Sequence, residues 1–196
     1  MGELTPVAGL LPWGRAEHCA FSHEHSERGD AVSTGKSLAW TAPTVAAAAA
    51  IGSVATKETK SRWYRSLDKP PFQPPAPVFP IAWTGFYASI AGSAAVVDAE
   101  LAEDHTEEAR GRRRRFRVAM LINLILNAGW CWAFFRWRKL PESTAVAGAL
   151  ALSTADLARR AAAAKPGAGA ALLPYVAWTT FATVLTGSIW RRNPRK

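Results

Sequence analysis

Cysteine is nearly absent from this chain: of 196 residues only Cys19, in a polar N-terminal stretch, and Cys131, inside an apolar run, carry a thiol. Thiols so placed cannot readily approach each other, which excludes a disulfide framework. Also missing are a glycine loop shaped to cradle phosphate, a nucleophile beside a base, and paired catalytic carboxylates, so conventional active-site chemistry is not expected. The most informative absence is of charge. Residues 37–56, 70–97, 118–135 and 166–190 hold no Asp, Glu, Lys or Arg, in a chain that is 20% charged. About 20 helical residues cover the roughly 30 Å of bilayer hydrocarbon, and a charge at its centre costs roughly 2.5–3.5 kcal/mol on insertion scales. These windows therefore read as membrane spans, which a net charge of +9 and a mean hydropathy of -0.03 conceal by averaging. No alternation recurs at the ten-residue spacing of an outer-membrane barrel, so the spans are expected to be helical.

A fifth apolar stretch begins at Ser143 but ends on Asp156, Arg159 and Arg160, which can pair at i,i+3 and i,i+4 or reach the interface. The expectation is an all-α integral membrane bundle of five transmembrane helices over 37–193, with helices near 38–56, 78–97, 117–136, 143–160 and 170–190. Residues 1–36 carry five acids and no basic start before an apolar core, and read as a flexible polar tail rather than a secretory signal. A short basic tail, 194–196, closes the chain. Lysine and arginine divide evenly between alternate loops, so neither the orientation nor the particular membrane follows.

The first span is made of small residues, with Pro43 near its expected start. Pro70, Pro71, Pro74, Pro75 and Pro77 stiffen the next loop into a cover. The second helix is expected to begin near Val78. Helical spacing puts Trp83 and Tyr87 on one face and Gly85, Ser89, Gly92 and Ser93 roughly opposite, a seam for helix packing or for a dimer. Arg112 to Arg115 form a juxtamembrane block that attracts anionic lipid; no nucleic-acid module surrounds them, and no nucleic-acid partner is expected. His18, Cys19, His23 and His25 match no structural zinc spacing, so no metal is expected.

Asn123, Asn127 and Trp130 recur at i, i+4 and i+7, and amides cannot sensibly face lipid. They serve either as interhelical glue or as a cavity wall. In the last span Tyr175, Trp178 and Ala182 share a stripe. Trp40, Trp63, Trp137 and Trp190 lie near span ends and read as an interfacial belt; Trp83, Trp130, Trp132 and Trp178 lie deeper. Aromatic faces with a few amides suit a flat, largely apolar ligand. Arg62, Arg65 and Lys69 stand where they could meet its carboxylates, or serve as ordinary flanking charges.

The run from Trp63 to Tyr87 (W-Y-x2-L-x-K-P-x3-P-P-x2-V-F-x3-W-T-x2-Y), N-x3-N-x2-W from Asn123, the pair Phe134 and Phe135, P-Y-x2-W from Pro174 and A-T-V-L from Ala182 resemble the translocator protein family, the tryptophan-rich sensory proteins. The resemblance spans residues 38–193. It implies a five-helix bundle, often a homodimer, whose pocket binds porphyrins such as protoporphyrin IX, with no cofactor required. Carried over residue by residue, the pocket positions are Tyr64, Pro74, Trp83, Tyr87, Asn123, Asn127, Trp130, Trp178 and Ala182. Trp83 and Trp178 match tryptophans implicated in light-dependent porphyrin degradation by some relatives, the only catalytic candidates. The implied role is a receptor or sensor in tetrapyrrole homeostasis or stress response, the alternatives being a transporter of porphyrin or another amphiphile and the photo-oxidative activity. Thr186 departs from the family's usual asparagine, and the C-terminal sterol pattern is missing.

Overall fold

The computed structural model describes residues 16–194, with side chains from residue 33 onward. Among the described residues there are five long helices: α1 (Ala16–Thr56), α3 (Val78–Glu103), α4 (Glu107–Cys131), α5 (Leu140–Ala164) and α7 (Leu173–Arg192). Two short ones, α2 (Arg62–Ser66) and α6 (Pro166–Ala170), sit in the connections. Four segments, Ser33–Lys60, Val78–Glu103, Glu107–Arg136 and Pro166–Arg192, are long and apolar enough to cross a membrane. The alanine-rich α5 is long but falls outside that set. Its Asp156 is held by Arg159 at 2.6 Å and Arg160 at 2.5 Å, the pairing that the sequence spacing predicts.

The first helix is longer than expected. The backbone is helical from Ala16 and runs unbroken into the first span, well before residue 38; residues 1–15, and 195–196 at the other end, lie outside the described residues. Propagating a helix adds one hydrogen bond per residue once the nucleus exists, and no proline interrupts residues 16–36. The side chains of His18, Cys19, His23 and His25 also lie outside the described set, and no metal-ligand cluster occurs among the residues within it. Pro43 falls inside α1 rather than at its start.

Local chemistry fixes the other ends. Thr106 caps α4, its side chain accepting from the Ala109 N–H at 3.2 Å, and Glu107 and Glu108 complement the helix dipole. At its far end α4 widens into a π-turn over Trp132–Arg136, with the Trp137 N–H donating to the Trp132 carbonyl. Arg138 then takes a left-handed φ of 59°, and the Lys139 N–H closes on the Ala133 carbonyl. This ends the helix in the manner usually left to glycine.

Small residues set the packing. The first span lies against α3 and α4, and α5 against α4 and α7. Gly148 faces Thr183 and Gly187 faces Thr144, so α5 and α7 meet closely. A Cβ on Gly169 would collide with the backbone and side chain of Ala162, which makes glycine necessary where α6 crosses α5. On α3 the small face divides: Ser93 is buried, Ser89 donates to the Ala171 carbonyl at 2.6 Å, and Gly85 and Gly92 are exposed.

One end of the bundle is clasped by an acid that the charge-free windows pass over. Asp98, at the foot of α3, is fully buried. It accepts from Arg113 twice at 2.8 Å, from Arg117 at 2.6 and 2.9 Å, from Ser37 at 3.0 Å and from Trp40 Nε1 at 3.1 Å. The Arg117 guanidinium lies 4.8 Å above the Trp40 ring. Trp40 is therefore part of a clasp joining α1, α3 and α4, a structural task beyond the interfacial position that its place near a span end suggests. Removing one cation leaves the acid with the other, whereas removing the acid leaves two uncompensated guanidinium groups. Asp98→Ala is expected to lose roughly 3 kcal/mol and Arg113→Ala about half as much, read as melting temperature in detergent.

Candidate functional site

The site is built from a roof and a floor. The roof begins at Ser61, whose Oγ caps α2 by accepting from the Tyr64 N–H. Leu67 and Pro70 are buried, and the chain is pinned to the end of α7: the Asp68 N–H donates to Asn193 Oδ1 at 3.0 Å, and Asn193 Nδ2 returns a bond to the Asp68 carbonyl at 2.9 Å. Arg192 adds an ion pair to Asp68 at 3.5 Å. Pro74 lies half-buried in this cover, and Gln73 Oε1 beside it is buried without a hydrogen-bond partner. Tyr64 packs on Phe134 and Phe135, with Lys69 Nζ 4.1 Å from its ring centroid. Burial pushes the Tyr64 phenol up and the Lys69 ammonium down from their ordinary pKa values. Arg62 and Arg65 point into solvent.

Beneath the roof is a continuous aromatic cluster. Trp83 stacks on Tyr87 at 5.7 Å between centroids and 30° between planes, and meets Phe86, Trp130 and Tyr175 at 6.0–6.2 Å. Trp130 stacks on Phe134 at 6.1 Å. Across the bundle Trp178 touches Phe79, Phe86 and Phe181 at 5.6–5.8 Å. These distances are those of favourable offset and edge-to-face pairs. They also account for the space: α3 and α7 meet almost wholly through rings, Phe79, Trp83 and Phe86 from one side and Tyr175 and Trp178 from the other.

The floor is a polar relay. Tyr87 Oη donates to Asn127 Oδ1 at 2.9 Å, Asn127 Nδ2 donates to Tyr175 Oη at 3.1 Å, and Tyr175 Oη donates to Asn123 Oδ1 at 3.1 Å. Asn123 Nδ2 then donates to Thr154 Oγ1 at 2.9 Å, which donates to the Leu150 carbonyl. Side chains of α3, α4, α7 and α5 are thereby joined in one line. Both amides are fully buried, and each carboxamide oxygen and nitrogen has a partner, so the structure favours the interhelical-glue alternative for Asn123 and Asn127.

Of the predicted site residues, Trp83, Tyr87, Asn127 and Trp130 converge directly. Asn123 lies one turn deeper, Trp178 and the buried Ala182 face in from α7, and Tyr64 joins through Phe134. Two other tryptophans gain partners. Trp63 packs edge-on against Phe134 and lies under Arg138, joining the cluster from the connection after the first span. Trp132 turns away to Trp137 and donates to the Ile51 carbonyl. Thr186, at the position where asparagine was expected, accepts from Trp130 Nε1 at 3.4 Å. Phe86 and Thr154 were not singled out by helical spacing; Tyr175 was legible in its stripe, but its place as the hub of the relay was not.

Residues 40–191 match the TspO/MBR family. The chain belongs to that family. It is 30% identical to Protein CrtK of Rhodobacter capsulatus over 148 residues, 76% of this chain and 89% of that one. It is 32% identical to the tryptophan-rich sensory protein of Cereibacter sphaeroides over 131 residues, covering 67% and 77%. The human translocator protein is 31% identical over 138 residues, covering 67% and 75%. As a TspO/MBR protein the chain is a membrane protein.

The relay gives a direct test. Tyr175→Phe removes one hydroxyl and leaves a buried amide hydrogen and a buried amide oxygen without partners, at a cost of roughly 1–3 kcal/mol. Its melting temperature in detergent is expected to fall clearly, whereas Tyr64→Phe, on the half-exposed roof, leaves it nearly unchanged.

Proposed function

We propose that this TspO/MBR protein is a five-span membrane receptor for a flat tetrapyrrole of the protoporphyrin type, bound between α3 and α7 beneath the proline-rich roof. The observation that carries the reading is the set of ring-to-ring contacts by which those helices meet. A macrocycle that displaces Trp83 or Trp178 by a rotamer change replaces ring–ring contacts with stacking on its own faces, at little net cost in apolar burial. The unpartnered Gln73 Oε1 supplies an acceptor for a pyrrole N–H or a protonated carboxyl. Arg62 and Arg65, exposed on α2 beside the roof, supply the counter-charge for propionates, with Lys69 nearer the cluster. In this reading α5 completes the bundle as the fifth span, its Asp156 neutralised by its own arginines.

Titrating the purified protein with protoporphyrin IX in the dark, followed by the porphyrin's own absorbance, tests the site. Saturable binding is expected, and Trp178→Ala is expected to weaken it about tenfold, the worth of one stacked aromatic contact. Binding that survives both Trp178→Ala and Trp83→Ala unchanged places the ligand elsewhere. Illumination and proteoliposome flux separate the alternatives: a receptor gives neither a light-dependent covalent product nor net transfer.

The charged rim gives a second test. Arg62→Gln combined with Arg65→Gln is expected to weaken protoporphyrin IX several-fold at low salt while leaving its dimethyl ester unaffected. Equal losses for both ligands would remove the carboxylate role.

A further inference from the structure

The arginine-rich start of α4 is not absorbed by the tetrapyrrole site. Six arginines fall between residues 110 and 117, and the structure gives four of them a task. Arg110 pairs with Glu107 at 2.6 Å, Arg112 donates to the Ala163 carbonyl at 2.7 Å, and Arg113 and Arg117 hold Asp98. Arg114 and Arg115 are exposed and make no ion pair or side-chain hydrogen bond. Both line the same open cavity, about 670 Å³, in the cleft between α4 and α5.

The rest of that lining is graded. On α4, Val118, Ala119 and Ile122 continue the stripe of Arg114 and Arg115 by one and two turns toward mid-span, and Val118 and Ile122 are about half exposed. On α5, Ser153 and Arg160 face them, and the acid between, Asp156, is already held by Arg159 and Arg160. The cleft thus has unpaired positive charge at one end and open apolar surface below it, on a helix long and apolar enough to span the membrane. Its volume lies in the range of small-ligand sites.

We propose that this cleft is a binding site for one anionic phospholipid, its phosphate held by Arg114 and Arg115 and its acyl chain laid along Val118 and Ile122. Charge complementarity selects an anionic head group, and arginine's planar fork matches phosphate oxygens. The apolar wall selects a lipid over a soluble phosphate, which would use the arginines alone. The site lies toward the end of α4 opposite Trp130 and the aromatic cluster, and is independent of what binds there.

Native mass spectrometry of the delipidated full-length protein in uncharged detergent, with dioleoylphosphatidylglycerol and dioleoylphosphatidylcholine as probes, tests it. One saturable phosphatidylglycerol is expected at concentrations where phosphatidylcholine binds weakly. Arg114→Gln with Arg115→Gln is expected to lose roughly thirty-fold in affinity for it, and Arg136→Gln, exposed but outside the cleft, nearly nothing. Ile122→Trp, which fills the apolar part and leaves every charge, is expected to lower occupancy as well, with melting temperatures confirming that each variant is folded. Equal binding of the two lipids, an equal loss in Arg136→Gln, or an unchanged affinity in Ile122→Trp overturns the proposal. Displacement by millimolar glycerol phosphate as efficiently as by lipid also overturns it, because the site would then serve a soluble anion.

Discussion

Lipid tails are as apolar as leucine, so burying apolar side chains gives little reason for one helix register over another inside a bilayer. The line from Tyr87 through Asn127, Tyr175 and Asn123 to Thr154 supplies that reason here. Asn127, Tyr175 and Asn123 each donate and accept within it, and sliding any one helix by a turn would leave polar atoms of the line without partners. At roughly 1–3 kcal/mol for each orphaned group, such a slip costs more than small-residue packing can recover. The relay therefore fixes where Trp83, Tyr87 and Trp130 stand relative to α7, and the aromatic cluster inherits its geometry from the polar line beneath it.

The two ends of the bundle are held differently, and this bears on where it can open. At the foot of α3, Asp98 collects two arginines, a serine and an indole from α1 and α4. That end is cross-linked by full charges. At the roof, the proline-rich loop is fastened to α7 by the two Asn193 bonds and the Arg192–Asp68 pair. Neutral hydrogen bonds contribute about 1 kcal/mol each, and exposed ion pairs less. The roof is the weaker fastening, and its prolines keep the loop stiff.

Much of this was legible in the sequence, for physical reasons that can be named. Charge-free windows located the helices because the cost of a buried charge is large and local. The Asn123, Asn127 and Trp130 stripe was legible because an amide on a span must find a partner, although the partner itself, Tyr175 on a helix about fifty residues later, was not. Asp98 was missed by the same logic that found the spans: it terminates a window, and a charge at a boundary reads as solvated until its long-range arginines are seen. The bond of Trp40 to it was equally out of reach, since an indole near a span end is already accounted for by the interface. The helical backbone of residues 16–36 was obscured by polarity, which governs burial and says little about whether a helix already nucleated continues.

If the proposed tetrapyrrole binds at the aromatic cluster, its affinity is a difference between two stacked states, because the rings already pack on one another. A ligand that enters must first separate contacts such as Trp83 on Tyr87 and Trp178 on Phe86, each worth about 0.5–1.5 kcal/mol beyond area burial. It regains that only by offering two extended faces at once, as a planar macrocycle does and a small single ring does not. The relay below cannot yield without orphaning buried groups, so the rings must move toward the roof, where the fastenings are weakest. Ligand size, planarity and the strength of the Asn193 latch are then linked quantities: loosening the latch lowers the cost of opening equally for every ligand, whereas changing the rings alters which ligands repay it.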